Sequence, residues 1–420
     1  MRIAASILMV MLSLLQVNAQ DWAKPVIKNQ QRVDLRDLGY PMVNEIPANS
    51  SAITSLLTSR SGIIYGCTSG EESYLFLFDP ATNKVRHLGK IPGHTGVHHS
   101  LVEDKDGNIY IGTGIDMFEE VPLSKYGEGD EKFDATLWKD IKKYFSKYAG
   151  GRLYKYDVSN NANIKLADAN AELQDLGMPL ANNSIYALTI NPKGDEIYGL
   201  TYPDGHFFIY NIASKKFRDL GEVDSLKVYH GPERHWRTLP RALICDDSGR
   251  VFMSGTKAML KYYDPASGKL VNTDLELPGD YYYIQFFTDY TAVEYFAKDA
   301  DGLIYGGTTD GYLFSFDPVK MKVRNLGKVR ESRRLRCLAV GKNGKVYLMA
   351  GERSTSRPCQ FYAYDPKEGA FETLGMLIVD RSPYYYWRGQ QFDCMTTGLD
   401  GTIYLGESER KSHLFLYIPE

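Results

Sequence analysis

The chain has 420 residues, 43% of them hydrophobic and 24% charged, which excludes a disordered polymer and supplies enough apolar material for a large core. Its 49 basic and 52 acidic side chains leave a formal net charge of −3, so there is no overall basic field and nucleic acid is excluded as a partner. Any recognition of an anion has to be local.

The chain opens with "MRIAASILMVMLSLLQVNAQ", where Arg2 precedes an apolar run from Ile3 to Leu15 and small residues ending at Ala19. That is the pattern of a secretory signal peptide cut after Ala19. The run is too short to cross a bilayer, which takes about 20 apolar residues, and no Cys follows the cut to carry a lipid. The expected organisation is a signal peptide over 1–19 and a single domain over 20–420. The mature chain is expected in the periplasm or the medium, as a monomer without membrane insertion.

Beyond Ala19 one unit recurs, clearest at Ala292 to Val329, "AVEYFAKDADGLIYGGTTDGYLFSFDPVKMKVRNLGKV", and at Ala52 to Pro92. Further copies begin near Val97, Ser184, Pro240, Leu335 and Phe392. Each holds four short β-type runs punctuated by Gly or Asp-Pro turns, as a four-stranded antiparallel sheet requires. Seven such copies predict an all-β fold, a seven-bladed β-propeller. The last copy stops at "LFLYIPE" and lacks a fourth run, whereas Val33 to Gly39, "VDLRDLG", matches Phe217 to Gly221, "FRDLG". An N-terminal strand completing the last blade would close the ring and remove its seam. Asp79-Pro80, Asp264-Pro265, Asp317-Pro318 and Asp365-Pro366 fall at the third-to-fourth strand connection and are structural turn residues.

The second copy carries one large insertion, about residues 115–149, in which Phe133, Leu137, Ile141 and Phe145 recur at helical spacing before Gly150 and Gly151. A helix on that connection is expected to overhang the propeller face as a lid, the alternative being a helix packed against the propeller side. The five cysteines, Cys67, Cys245, Cys337, Cys359 and Cys394, match neither a disulfide framework nor a C-x-x-C metal site. They read as small buried hydrophobes with at most one or two bridges.

The first strand of a propeller blade lies nearest the axis. Aligned across the copies, one position is mostly small (Ser55, Ser100, Ala187, Ala242, Tyr295, Cys337, Cys394) and the next is large and apolar (Leu56, Leu101, Leu188, Leu243, Phe296, Leu338, Met395). The position before them holds Thr54, His99, Tyr186, Arg241, Glu294, Arg336 and Asp393, none apolar. Such a ring either forms a composite site at the mouth of the axial channel or locks neighbouring blades by ion pairs, for instance Arg241 with Glu294.

The connections leading into those strands favour a site. They carry His94 and His98 in "GHTGVHHS", and Tyr229, His235, Trp236 and Arg237 in "YHGPERHWRTLPR". Arg333 and Arg334 stand in "ESRRLRC", and Trp387, Arg388 and Gln391 in "YYYWRGQQ". Guanidiniums pair with carboxylate or sulfate while aromatic faces stack on sugar rings, so the expected ligand is an anionic oligo- or polysaccharide. No nucleotide loop, zinc-protease helix or nucleophile elbow is present. The motifs call for no cofactor, and a divalent metal is the one the histidines could hold. Adjacent His98 and His99 point to opposite sides of an extended chain, so at most one should face the mouth.

With "HHSLVEDKDGNIYIGT" and "RHWRTLPRA" at its axial end, the chain resembles the propeller polysaccharide lyases of the ulvan and oligogalacturonate type, and more remotely the streptogramin lyases. The resemblance implies β-elimination at a uronic acid. Arg241, with Arg237 or Arg336, would neutralise the carboxylate; His99 or His235 would be the base; Tyr186 or Tyr229 would protonate the leaving oxygen. His94, His98, Trp236, Arg237, Glu294, Arg336, Trp387, Arg388, Gln391 and Asp393 would contact the glycan. Two other readings stay open: a non-catalytic glycan- or protein-binding propeller, and a glycoside hydrolase using Glu294 and Asp393 as paired carboxylates.

Overall fold

The computed structural model describes residues 30–34, 46–115, 141–161, 172–224, 240–255, 258–279, 291–329, 334–351, 359–381, 385–409 and 412–420. They form seven four-stranded antiparallel sheets, the blades of a propeller, and one two-stranded hairpin. Blade 1 consists of Ala52–Thr58, Ile64–Ser69, Ser73–Asp79 and Lys84–Ile91, in that spatial order from the axis outward. Blades 2 to 6 repeat this order, with first strands Leu101–Glu103, Ser184–Ile190, Ile244–Cys245, Val293–Lys298 and Leu335–Val340.

The local chemistry of the repeat explains its regularity. The turn between the first two strands of every blade closes through an N–H donated by a glycine of positive φ: Gly62, Gly107, Gly194, Gly249, Gly302, Gly344 and Gly401. Only glycine takes that left-handed backbone without a steric cost. At the third-to-fourth connection the carboxylates of Asp79, Asp264, Asp317 and Asp365 each accept the N–H two residues on, at 2.9–3.1 Å, which confirms their structural role. The "IYG" of the second strand has an equally plain reason. A β-carbon on Gly66, Gly199 or Gly306 would come within 2.2–2.3 Å of the ring of Phe76, Phe208 or Phe314 on the third strand.

Blade 7 combines Phe392–Thr397, Ile403–Glu407 and His413–Tyr417 with the N-terminal Gln30–Asp34, which pairs antiparallel from Gln30 with Tyr417 to Asp34 with His413. The ring closes as the sequence predicts; of the matching stretch Val33 to Gly39, only Val33 and Asp34 lie among the described residues. Blades 1 and 7 also share an apolar layer in which Ile53, Leu56 and Phe76 meet Cys394, Tyr404 and Leu414. Fully burying a side chain such as Leu414 is worth about 1.5–3 kcal/mol, so the seam is closed by packing as well as by pairing. All five cysteines are buried and free.

Candidate functional site

Pairing in the first strands slips by one residue between Ile53 and Ser55, Ile185 and Ala187, Val293 and Tyr295, Leu335 and Cys337, and Phe392 and Cys394. The extra residue in these five bulges is Thr54, Tyr186, Glu294, Arg336 or Asp393, each a member of the polar ring. A bulge leaves one residue unpaired and re-aims its side chain. In blades 2 and 4 the ladder starts only at Leu101 and Ile244, so His99 and Arg241 stand just ahead of it. The ring is therefore a structural device repeated around the axis.

Its charged half lies on blades 4 to 7. Glu294 is nearly fully buried and receives Arg334 as a fork, Nε to Oε1 at 2.8 Å and Nη2 to Oε2 at 2.9 Å, while Arg241 Nη1 donates to Oε1 at 2.9 Å. Burial would raise the Glu294 carboxyl, but the guanidiniums of Arg334 and Arg241 outweigh it and hold it at about 2. Arg336 Nη1 donates to Asp393 Oδ1 at 2.6 Å, and Gln391 Nε2 donates to Oδ2 at 3.0 Å. Against its burial, Arg336 and Arg334 keep Asp393 well below the usual carboxylate range. Arg334, a non-glycine residue at φ +67°, is held in that costly conformation where its fork meets Glu294. The Arg241–Glu294 pair foreseen as a blade lock is thus real, and Arg334 is its unforeseen principal member.

The other half, on blades 2 and 3, is aromatic. His98 stacks on Tyr186 with centroids 4.8 Å apart, and His99 meets Tyr186 edge-on at 6.1 Å. The expected alternation of His98 and His99 fails because the backbone is not extended there: Ser100 N–H donates back to the carbonyl of His98. Both rings consequently reach Tyr186. Burial pushes His98 below the ordinary imidazole range and His99 to about 4, so both are neutral near pH 7. The Nδ1 of His99 is screened from solvent and has no hydrogen-bond partner among the described residues. Burial also raises the Tyr186 hydroxyl, which stays protonated. Thr54 donates to the carbonyl of Val97 at 2.5 Å and serves the blade 1–2 junction.

The remaining residues are placed as follows. His94 is buried and bonds the hydroxyl of Tyr148 through Nδ1 at 2.7 Å, which ties it to the insertion rather than to the ring. Arg388 turns both Nε and Nη2 toward Met376 Sδ, at 3.0 and 2.9 Å. It ends an added hairpin of Ile378–Arg381 and Tyr385–Arg388, to which Trp387 also belongs and which the sequence reading missed. Tyr229, His235, Trp236 and Arg237 lie outside the described residues, as do Phe133 and Leu137. Of the insertion, residues 141–145 are helical; Ile141 and Phe145 are buried, and Phe145 packs on Tyr202 at 5.6 Å. Asn182 Nδ2 caps this segment on the carbonyl of Tyr148 at 2.7 Å. The end of the insertion is thus packed onto the strand 2–3 connection of blade 3, beside the mouth. Among the described residues no group of three metal-type ligands occurs.

Comparison with known proteins bears on the fold. A model of the "two component regulator propeller" family matches residues 92–114, which span the connection into blade 2 and its first two strands. No curated protein matches the chain. Among solved structures, a streptogramin B lyase superposes with TM-score 0.58 and 10% identity, over 94% of this chain and 99% of that one. A catalytically inactive variant of virginiamycin B lyase from Staphylococcus aureus, solved with quinupristin, gives TM-score 0.57 and 10% identity over 93% and 99%. The extracellular domain of a putative one component system from B. thetaiotaomicron gives TM-score 0.53 and 14% identity, covering 94% of this chain but 40% of that one. At such identities the likeness establishes the seven-bladed architecture and nothing finer. Among the described residues no helix is long and apolar enough to cross a membrane.

Proposed function

We propose that the chain is an exported propeller that recognises an anionic, uronate-containing glycan at its axial mouth. The observation that carries this reading is the charge at the mouth: among the described residues three guanidiniums, Arg241 and Arg336 of the ring and Arg334 beside it, stand against two carboxylates, Glu294 and Asp393. A carboxylate or sulfate arriving at the mouth would supply the missing negative charge. Arg241 and Arg336 each spend one terminal nitrogen on a protein carboxylate among the described residues, which leaves N–H donors for a ligand. The stacked, partly exposed pair His98 and Tyr186 brings aromatic surface to the same mouth, which suits a sugar. Export is supported by the signal-peptide pattern and by the likeness to extracellular domains of regulators.

A second reading, elimination at the same place, is favoured by the neutral His99, whose Nδ1 has no hydrogen-bond partner among the described residues, beside the protonated Tyr186. His99 would take the proton α to the carboxylate, the carbon–carbon double bond would form as the glycosidic C–O bond breaks, and Tyr186 would return a proton to the leaving oxygen. The likeness to lyases built on the same fold supports it. Hydrolysis is disfavoured, because Glu294 and Asp393 are both held ionised by arginines and neither can be the protonated acid such a mechanism needs.

Calorimetric titration with uronate-containing, sulfated and neutral glycans tests the first reading. Charged glycans should bind more weakly as salt rises, and Arg241→Lys should weaken binding roughly tenfold, because it keeps the charge but loses the planar fork. Equal affinity for neutral and charged glycans would sink it. Ultraviolet absorbance of the unsaturated product decides the second, which requires a signal that His99→Ala abolishes.

A further inference from the structure

At the small position of the first strands six blades carry Ser, Ala or Cys, and blade 5 carries Tyr295. Its hydroxyl donates to the carbonyl of Met395 on blade 7 at 3.0 Å. Its ring meets that of His99, on blade 2, edge-on with centroids 5.1 Å apart, and His99 in turn meets Tyr186 of blade 3. Side chains of non-adjacent blades therefore touch across the axis, where a propeller otherwise has an open channel. Beneath them lies a cavity of about 150 Å³ lined by Leu56, Leu101, Leu188, Leu243, Phe296 and Cys394 as well as by His99 and Tyr295 themselves.

We infer that Tyr295 and His99 form a septum that makes the mouth a blind pocket, with Tyr295 as its specificity-determining floor, so that a ligand is recognised by one chain end. This rests on the mouth being the binding site. The physical reasons are three. The septum is anchored rather than loosely filled, because the Tyr295 hydroxyl is bonded to blade 7 and its ring is braced by blade 2. Six small residues at the same level show that the fold itself asks for no bulk there. Finally, the polar ring stands one residue nearer the mouth than Tyr295, so whatever contacts Arg241 and Arg336 has the septum directly below it and cannot continue along the axis.

Leu243 lines the cavity below the septum, and a cysteine introduced there as Leu243→Cys reports on closure without any ligand. Labelling with N-ethylmaleimide, resolved by peptide mass spectrometry, should be slow at that position when residue 295 is tyrosine and in Tyr295→Phe. It should be at least roughly tenfold faster in Tyr295→Ala, since access controls thiol reactivity, while the five native cysteines, all buried, serve as controls for unfolding. Should Tyr295→Ala fold poorly, Tyr295→Ser, the residue of blades 1 and 2, or His99→Ala opens the same septum. Equal labelling of Leu243→Cys with the septum intact and in a folded opened variant would overturn closure. For the ligand, an oligouronate capped at both ends with a bulky amide should bind the wild type at least roughly tenfold more weakly than the free oligomer, and Tyr295→Ala should lessen that preference. Equal binding of capped and free chains would overturn end recognition. Absence of binding by either would instead count against the mouth as a glycan site and leave the labelling result to decide the septum.

Discussion

Replacing Glu294 by Gln tests the charged ring most directly. The carboxylate is almost fully buried and bonded to two guanidiniums, and they hold it at about 2 against an ordinary 4.5. That shift corresponds to about 3 kcal/mol of folding stability. Because the folded value is depressed, the contribution is complete above pH 4.5 and is lost as pH falls from there through about 2. Urea unfolding at pH 7 should therefore place Glu294→Gln about 3 kcal/mol below the wild type, within the range for breaking a buried pair. Near pH 3 the unfolded carboxyl is already protonated and the folded one is not, so the gap should shrink to about 1 kcal/mol. A loss under about 0.5 kcal/mol at pH 7, or a gap that does not change with pH, would refute the reasoning.

Four further outcomes are expected. Deleting Gln30–Asp34 leaves His413–Tyr417 as a bare edge and should lower the thermal transition and promote aggregation, whereas an unchanged transition would argue against ring closure. Replacing Met117 to Lys147 by a short Gly-Ser link removes buried Ile141 and Phe145, so it should cost stability, and Phe145→Ala alone should cost about 3–5 kcal/mol in urea titrations. His94 and His99, held at about 4 by burial against an ordinary 6.5, should make the protein lose stability as pH falls from 6.5 to 4, and His94→Phe should flatten part of that slope in urea midpoints taken against pH. Because Arg334 also grips Glu294, the pair Arg241→Met with Glu294→Leu would strand a guanidinium; the triple change with Arg334→Met should be close to neutral in unfolding experiments but abolish anionic-glycan binding in calorimetry.

The blades were legible because their causes are local. A glycine that alone tolerates positive φ, or an aspartate that bonds its own backbone two residues on, leaves the same mark in every copy, and the copies can be counted. The polar ring was legible for a related reason: aligning the first strands superposes Thr54, His99 and Tyr186 on Arg241, Glu294, Arg336 and Asp393. What the alignment does not contain is distance between blades. Arg334 lies two residues outside the ring position, and its left-handed backbone, which aims the fork at Glu294, has no signature in an arginine. Among the described residues the hairpin of Ile378–Arg381 and Tyr385–Arg388 belongs to one blade connection, so repetition could not reveal it.

Tyr295 is the instructive middle case. It stood in the sequence as the single bulky residue among small ones, yet the six others made the position read as packing. A repeat averages, and an average hides the copy in which the fold departs from itself. Burying a tyrosine where the other blades manage with serine, alanine or cysteine requires a partner for its hydroxyl, and the carbonyl of Met395 supplies one from across the axis. The same logic applies to Glu294 among its neighbours: its charge is tolerable at that depth only because two arginines, from the connections into blades 4 and 6, arrive with it. In a ring of near-identical blades, then, the positions that escape a reading of single copies are those where one blade needs something that only a different blade can provide.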